Sequence, residues 1–212
     1  MISPRMCVVC GSRLAVTEET LCSKCYLHLP RTDFRNDLYE NVMAKLFWGR
    51  IAIEKADALF FYEPHAETAH ILYELKYKNH PEIGVVMGRM MAKELMRSGL
   101  YEGIDAIVPV PLAKKRERER GYNQSLELAK GVSEVTGLPI ADKVVVRTKF
   151  VGSQTQRGRW ERNENVENVF ELVDGDSING KHLLLIDDVV TTGATIIACA
   201  QELQKASNVR IS

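Results

Sequence analysis

Net charge is missing from this chain: 28 lysines and arginines are matched by 28 aspartates and glutamates. A global positive field for polyanions is thereby excluded, and any attraction to nucleic acid or phosphate has to come from local patches. Long apolar runs are missing too. None approaches the roughly 18 residues of a membrane span, and the start of the chain has no long apolar segment of signal type. These absences lead to the expectation of a soluble, cytoplasmic protein with no membrane span. There are no internal repeats and no low-complexity segment, which argues against solenoids and arrays. No G-x-x-x-x-G-K-[ST] occurs, so a P-loop is excluded. Cysteine is scarce outside the first 25 residues, where four of the five lie. The fifth, Cys199, stands alone in the apolar helical stretch "ATIIACAQEL" and reads as a buried small hydrophobe.

The four early cysteines form Cys7-x-x-Cys10 and Cys22-x-x-Cys25, with eleven residues between the pairs. That clustering suits a metal site better than a disulfide framework. Four thiolates saturate tetrahedral zinc and leave no position for water, so the expected site is structural zinc rather than catalytic. A redox role finds no support, since no βαβ pattern surrounds either pair. His28 is not needed as a ligand. Without metal, thirty residues have little core of their own.

The 212 residues, 45% of them apolar, allow one large domain or one domain with a small appendage. The expected division is a zinc-binding module over residues 1–30, followed by a main domain over 31–212. Within the main domain, "VMAKLFWGR" reads as a short helix and "ADALFFYE" as a strand stopped by Pro64. The helix "AETAHILYELKYKNH" places Ala69, Leu72, Tyr73 and Leu75 near one face, and "PEIGVVMGRMMAKELMRSG" starts at Pro81 and stops at Gly99. Met87, Met90 and Met91 read as core filling. From residue 104, strands "IDAIVPVP", "KVVVRTKF", "KHLLLIDDVV" and "NVRIS" alternate with helices "NQSLELAKGVSEV" and "ATIIACAQELQKA". This alternation predicts an α/β fold with a mostly parallel sheet. Residues 150 to 168 are polar and long for a connection, which suggests a mobile loop or projecting hairpin.

Within this frame, "LLLIDDVVTTGAT" at 183 to 195 carries the most chemistry. A buried parallel strand presents its ligands at its carboxyl end, beside the next helix N-terminus. The N–H groups of Thr192, Gly193 and Ala194 would form a phosphate cradle there, with hydroxyls from Thr191, Thr192 and Thr195. Asp187 and Asp188 are acceptors suited to a sugar diol. Diol beside phosphate describes ribose 5-phosphate. Competing readings are a Walker B strand, a receiver-type acidic strand end, and an acidic turn that merely caps the helix; the first lacks its P-loop and the second lacks a Thr-Thr-Gly cradle.

The same stretch resembles the phosphoribosyl-pyrophosphate motif of type I phosphoribosyltransferases. "VPVPLAKKRERERGYNQSLELAK" at 108 to 130, "SQTQRGRWERNENVENVF" at 153 to 170, "LKYK" at 75 to 78 and the four cysteines further resemble the ComF competence family. Ser153, Gln154, Arg162, Asn165, Val166 and Phe170 stand where that family has them, while Asn79 follows "LKYK" in place of the usual nearby glycine and Arg157 replaces a common leucine. The resemblance implies a type I phosphoribosyltransferase fold, with a hood and helical part over 31–100 and an α/β core over 101–212. It implies that Asp187, Asp188, Val189, Thr191, Thr192, Gly193, Ala194 and Thr195 bind phosphoribosyl pyrophosphate or ribose 5-phosphate, with Mg²⁺ accompanying the former. Arg116 and Arg120, from the run 114–120, would lie where the superfamily holds pyrophosphate; the competing reading, from Glu117 and Glu119, is a self-neutralising surface turn. Asn123 can cap the next helix or touch ligand.

Arg157, Arg159 and Arg162 with Trp160 suit phosphate contact plus base stacking, or a hairpin with Trp160 packed inward; by resemblance this is the loop that closes over the site. Two function classes follow. One is an enzyme in which pyrophosphate leaves C1 through an oxocarbenium-like state to an incoming nitrogen. The other is a protein of DNA uptake and natural transformation that keeps the pocket as a ligand site. Its implied partners are single-stranded DNA and competence proteins such as a helicase or recombination mediator. No catalytic residue and no acceptor base can be named from the residues.

Overall fold

The computed structural model describes residues 5–64, 66–148 and 169–212. Its elements are α1 (Ser23–His28), α2 (Val42–Lys45), α3 (Glu67–Tyr77), α4 (Pro81–Leu95), β1 (Ala106–Pro109), α5 (Lys114–Arg120), α6 (Gln124–Thr136), β2 (Val145–Arg147), β3 (Phe170–Leu172), β4 (His182–Ile186), α7 (Ala194–Leu203) and β5 (Arg210–Ile211).

β4 is central in the order β1-β4-β5, and every one of its residues is buried. It pairs in parallel with β1, Ala106 opposite Leu183, and with β5, Leu183 opposite Ile211. Period-two alternation then divides its side chains between two cores. Ala106, Val108, Leu183 and Leu185 pack with Ile196, Ile197, Ala200 and Leu203 of α7 and with Val145 and Phe170. Ile107, Leu184 and Ile186 pack on the opposite face with Ala92, Leu95, Ala129 and Val132 of α4 and α6. A strand covered on both faces is apolar without alternation, and the α/β class with a parallel-sheet core follows. β2 and β3 form a separate antiparallel pair, Val145 opposite Leu172.

α4 and α6 approach closely through glycines. A Cβ on Gly88 would sit 2.1 Å from the Leu128 carbonyl oxygen, and one on Gly131 would sit 2.0 Å from that of Val85. Met87 and Met90 border the N-terminal core and Met91 the α4–α6 core, so all three fill gaps as expected. Cys199 is fully buried.

Two expectations change and two are sharpened. The core face of α3 is Thr68, Ile71 and Leu75, while Tyr73 is exposed, because the i, i+3, i+7 row through Ile71 is the one that meets the N-terminal core. "ADALFFYE" contributes an isolated antiparallel bridge, Phe60 to Arg31, with the Phe61 N–H donating to the Pro30 carbonyl and the Thr32 N–H to the Leu59 carbonyl, rather than a strand. The helix in "VMAKLFWGR" is four residues long; beyond it Phe47 turns fully inward. Residues 114 to 120 form a surface helix, α5, with no buried residue, closed by Gly121 at φ 88°. Asn79, at φ 57°, occupies the left-handed region that glycine and asparagine tolerate best.

Residues 7 to 29 pack directly on the main domain: Leu14, Leu21, Leu29, Cys7 and Cys25 share a core with Ile71, Leu75, Ile83 and Tyr122. Among the described residues no helix is long and apolar enough to cross a membrane.

Candidate functional site

Two centres stand out. In the first, the ligand atoms of Cys7, Cys10, Cys22 and Cys25 all lie within 4.8 Å of one another. Cys10 Sγ and Cys22 Sγ are 3.7 Å apart. A tetrahedron of thiolates around a metal at about 2.3 Å has an edge of about 3.8 Å. The four cysteines can therefore hold a metal ion. Backbone turns preorganise them: the Cys22 N–H donates to Cys7 Sγ at 3.3 Å, and the Gly11 N–H donates to the Cys7 carbonyl. Hydrogen bonds from Ser12 favour the Cys10 thiolate and pull that thiol down to about 6, whereas burial pushes the Cys25 thiol up. His28 Nδ1 is engaged 2.7 Å from the Lys24 carbonyl, so the cluster closes without it.

The second centre lies at the carboxyl end of β4. The strand ends at Ile186, the chain passes through Asp187 to Thr192, and Gly193 at φ 74° caps α7. Positive φ alone favours glycine there. A Cβ would also meet the Phe47 ring at 3.0 Å, so the buried phenyl group beneath the loop is a second reason for glycine. Thr191 and Thr192 are exposed, while Val189, Ala194 and Thr195 are half-buried. The Thr192 hydroxyl accepts from the Ala194 N–H at 3.4 Å, and the Thr192 carbonyl accepts from Arg50 at 3.1 Å.

The acidic pair is differentiated. Asp187 accepts from the Ser125 hydroxyl at 3.0 Å and from the Asp188 N–H at 2.9 Å. Burial, then the neighbouring charge of Asp188, pushes the Asp187 carboxyl up to about 6. Asp188 instead forms an ion pair with Lys76 at 2.9 Å. One carboxyl thus titrates close to neutrality while its neighbour is held beside a cation.

Arg147, on β2, joins this region. Its buried Nε has no hydrogen-bond partner among the described residues. Burial and the nearby charge of Arg116 lower its pKa, and Asp187 acts in the opposite sense. Arg116 is exposed on α5 and lies close enough to Arg147 for that repulsion. Arg120 is turned toward α3 and α6, bonded to Gln124 and placed over the Tyr77 ring at 5.7 Å. Asn123 caps α6 by accepting from the Ser125 N–H and donates to the Val110 carbonyl, a structural role.

Lys76, Ser125, Arg147 and Arg50 are the side chains that the sequence reading left out. For Arg147 a signal existed: one arginine inside the β-branched run "KVVVRTKF". Lys76 and Ser125 sat in quoted motifs, but nothing local aims them at the acidic pair. Ser153, Gln154, Arg157, Arg159, Trp160, Arg162, Asn165 and Val166, with the loop expected over 150 to 168, lie outside the described residues.

No protein-family model matches the chain. Among curated proteins, it is 31% identical over 201 residues to "DNA utilization protein YhgH" of Escherichia coli O6:H1, covering 93% of this chain and 83% of that protein. It is 26% identical over 207 residues to "Competence protein F" of Haemophilus influenzae, with 94% and 90% covered. A third relative, "Competence protein ComFC" of Bacillus subtilis, is 35% identical over 106 residues, or 49% of this chain and 41% of that one. Among solved structures, a glutamine phosphoribosylpyrophosphate amidotransferase from B. subtilis superposes with a TM-score of 0.43 at 20% identity, covering 66% of this chain and 30% of that chain. Identity above 30% across most of both chains, with a competence-named relative spanning nearly the same length, means that the chain belongs to the ComF family.

Proposed function

We propose that this ComF-family protein binds phosphoribosyl pyrophosphate or ribose 5-phosphate at residues 187 to 195 and serves DNA uptake and natural transformation on the cytoplasmic side, handling single-stranded DNA. The observation that carries the ligand reading is the delivery of Asp187 and Asp188 from the end of β4 directly against the Gly193-capped start of α7. Asp188 and Asp187 would take the ribose hydroxyls, and the Thr191 to Thr195 loop would take the 5-phosphate. Hard carboxylate oxygens at this place suit Mg²⁺, which would accompany the pyrophosphate ester and offset its charge. Arg116, with Arg147 behind it, offers positive charge for the pyrophosphate; Arg120 would join only by leaving Gln124 and Tyr77. Zinc is the metal proposed for the four cysteines, since an all-thiolate tetrahedron is its structural site. In this reading residues 1–30 are the zinc module, 31–100 the hood and helical part, and 101–212 the core.

The names of the relatives, "DNA utilization" and "Competence", support the cellular half of the proposal. Single-stranded DNA and competence proteins such as a helicase or recombination mediator are the proposed partners. A phosphoribosyltransferase that turns over is the second reading, favoured by Asp187, whose pKa of about 6 leaves it able to exchange a proton near neutral pH.

Titration calorimetry with phosphoribosyl pyrophosphate, with and without Mg²⁺, tests the first half. Asp188→Asn keeps the shape and removes the charge, and binding should weaken; unchanged affinity would place the pocket elsewhere. Pyrophosphate release measured across a panel of bases separates the two readings. Release with one base makes the protein an enzyme, and none with any base leaves the pocket a ligand site.

A further inference from the structure

We infer that the exposed Tyr73–Tyr77 face of α3, together with Lys78 and Arg120, is a base-stacking platform for single-stranded nucleic acid. The inference rests on the proposed handling of single-stranded DNA and assigns it to residues outside the 187 to 195 loop and outside the arginine–tryptophan stretch at 157 to 162, with Arg120 held at Tyr77 rather than at the pyrophosphate.

Helical spacing places Tyr73 and Tyr77 one above the other. Their ring centroids are 5.4 Å apart with planes inclined at 44°. The core face of α3 is already satisfied by Ile71 and Leu75, and both tyrosines point away from it, 50% and 67% exposed. Each ring carries a cation: Lys78 Nζ lies 5.6 Å from the Tyr73 centroid, and the Arg120 guanidinium 5.7 Å from that of Tyr77. Arg120 ends α5, which sets five cations against Glu117 and Glu119 and has no buried residue. The nearest carboxylate on the same helix, Glu74, lies 3.9 Å from His80.

Aromatic faces beside lysine and arginine, continued by a cationic helix, are the two parts single strands require: stacking for bases and positive charge for phosphates. A zero-charge protein gains phosphate affinity only from such a local patch. Open, half-exposed rings offer no enclosure for one free base, whereas a strand engages both rings and the neighbouring cations together. Duplex DNA keeps its bases stacked and cannot use the ring faces. Lys76, one residue before Tyr77, pairs with Asp188, so the platform adjoins the proposed ribose-phosphate site.

The test uses fluorescence anisotropy with a labelled single-stranded oligodeoxynucleotide at several salt concentrations. The double substitution Tyr73→Ala with Tyr77→Ala should weaken binding by roughly tenfold or more, with an unchanged salt slope, because stacking releases no counterions. Phenylalanine at both positions should retain wild-type affinity. Circular dichroism and the thermal melting midpoint should match wild type in both variants, which shows that the fold persists. If wild type binds the oligonucleotide and the alanine variant binds it equally well, the platform is overturned while DNA handling stands. If the phenylalanine variant loses as much as the alanine variant, or duplex binding falls equally, the ring faces are not the contact and the platform is also overturned. If wild type shows no binding even at low salt, DNA handling itself fails and the platform with it.

Discussion

Asp187 and Asp188 are neighbours in the chain with different surroundings: one is bonded to Ser125 and pushed up to about 6, the other is paired with Lys76. Lys76 also lowers the Asp187 pKa by its charge. Replacing Lys76 by methionine should therefore move the ligand-binding pH profile upward and weaken binding of the pyrophosphate ester, as calorimetry at several pH values would show. A second carboxyl works against the fold. Among the described residues, both oxygens of Asp57 are buried without a side-chain hydrogen-bond partner, as is the nearby Tyr101 hydroxyl, and burial pushes Asp57 up to about 6 from its ordinary 3.8. The folded state then holds this proton more tightly than the unfolded chain. Stability on this account is full below about pH 4, declines as pH rises to about 6 and is level above. The stability of Asp57→Asn relative to wild type should grow by about 2 kcal/mol between pH 4 and pH 8, read from chemical denaturation at each pH.

At the scale of elements, the α4–α6 crossing sets helix propensity against packing. Propensity alone would make Gly131→Ala stabilising by about 1 kcal/mol. The added carbon, 2.0 Å from the Val85 carbonyl oxygen and 2.7 Å from the Arg89 nitrogen, has no space because both obstacles are backbone. Denaturant titration should find the variant less stable by about 3 kcal/mol, with the helices forced apart. Helical periodicity predicted both helices, yet it did not reveal that "GVVMG" and "AKG" are the points of contact, because a glycine in a helix reads locally as a weakness. The tyrosines of α3 are a similar case: an aromatic in an amphipathic pattern reads as core, and only the position of the N-terminal core shows which row is buried.

For the whole molecule, the four cysteines fix more than their own loops. Leu14, Leu21 and Leu29 between and beyond them pack on Ile71, Leu75 and Ile83, so the cysteine module is continuous with the core side of the helix that carries Lys76. Purified protein is expected to carry one zinc per chain by elemental analysis. Cys22→Ser should lose it and make the first thirty residues susceptible to limited proteolysis while the parallel sheet, read by circular dichroism, persists. A disulfide between the pairs, or protein without zinc, would contradict the assignment.

The α/β class, the central strand, the acidic pair at its end and the four-cysteine cluster were all legible in the sequence, because each depends on residues close together in the chain: an unbroken apolar run, two adjacent carboxylates, two Cys-x-x-Cys pairs. Tertiary structure alone decided what those residues face. Ser125 reaches Asp187 across 62 positions and Arg50 reaches the Thr192 carbonyl across 142, distances over which local patterns carry no information. The same holds for Lys76 at Asp188, Phe47 beneath Gly193 and Arg147 beside Arg116. Parallel pairing brings separate segments to one end of the sheet, and there burial and neighbouring charge distinguish two aspartates that the sequence presents as equivalent.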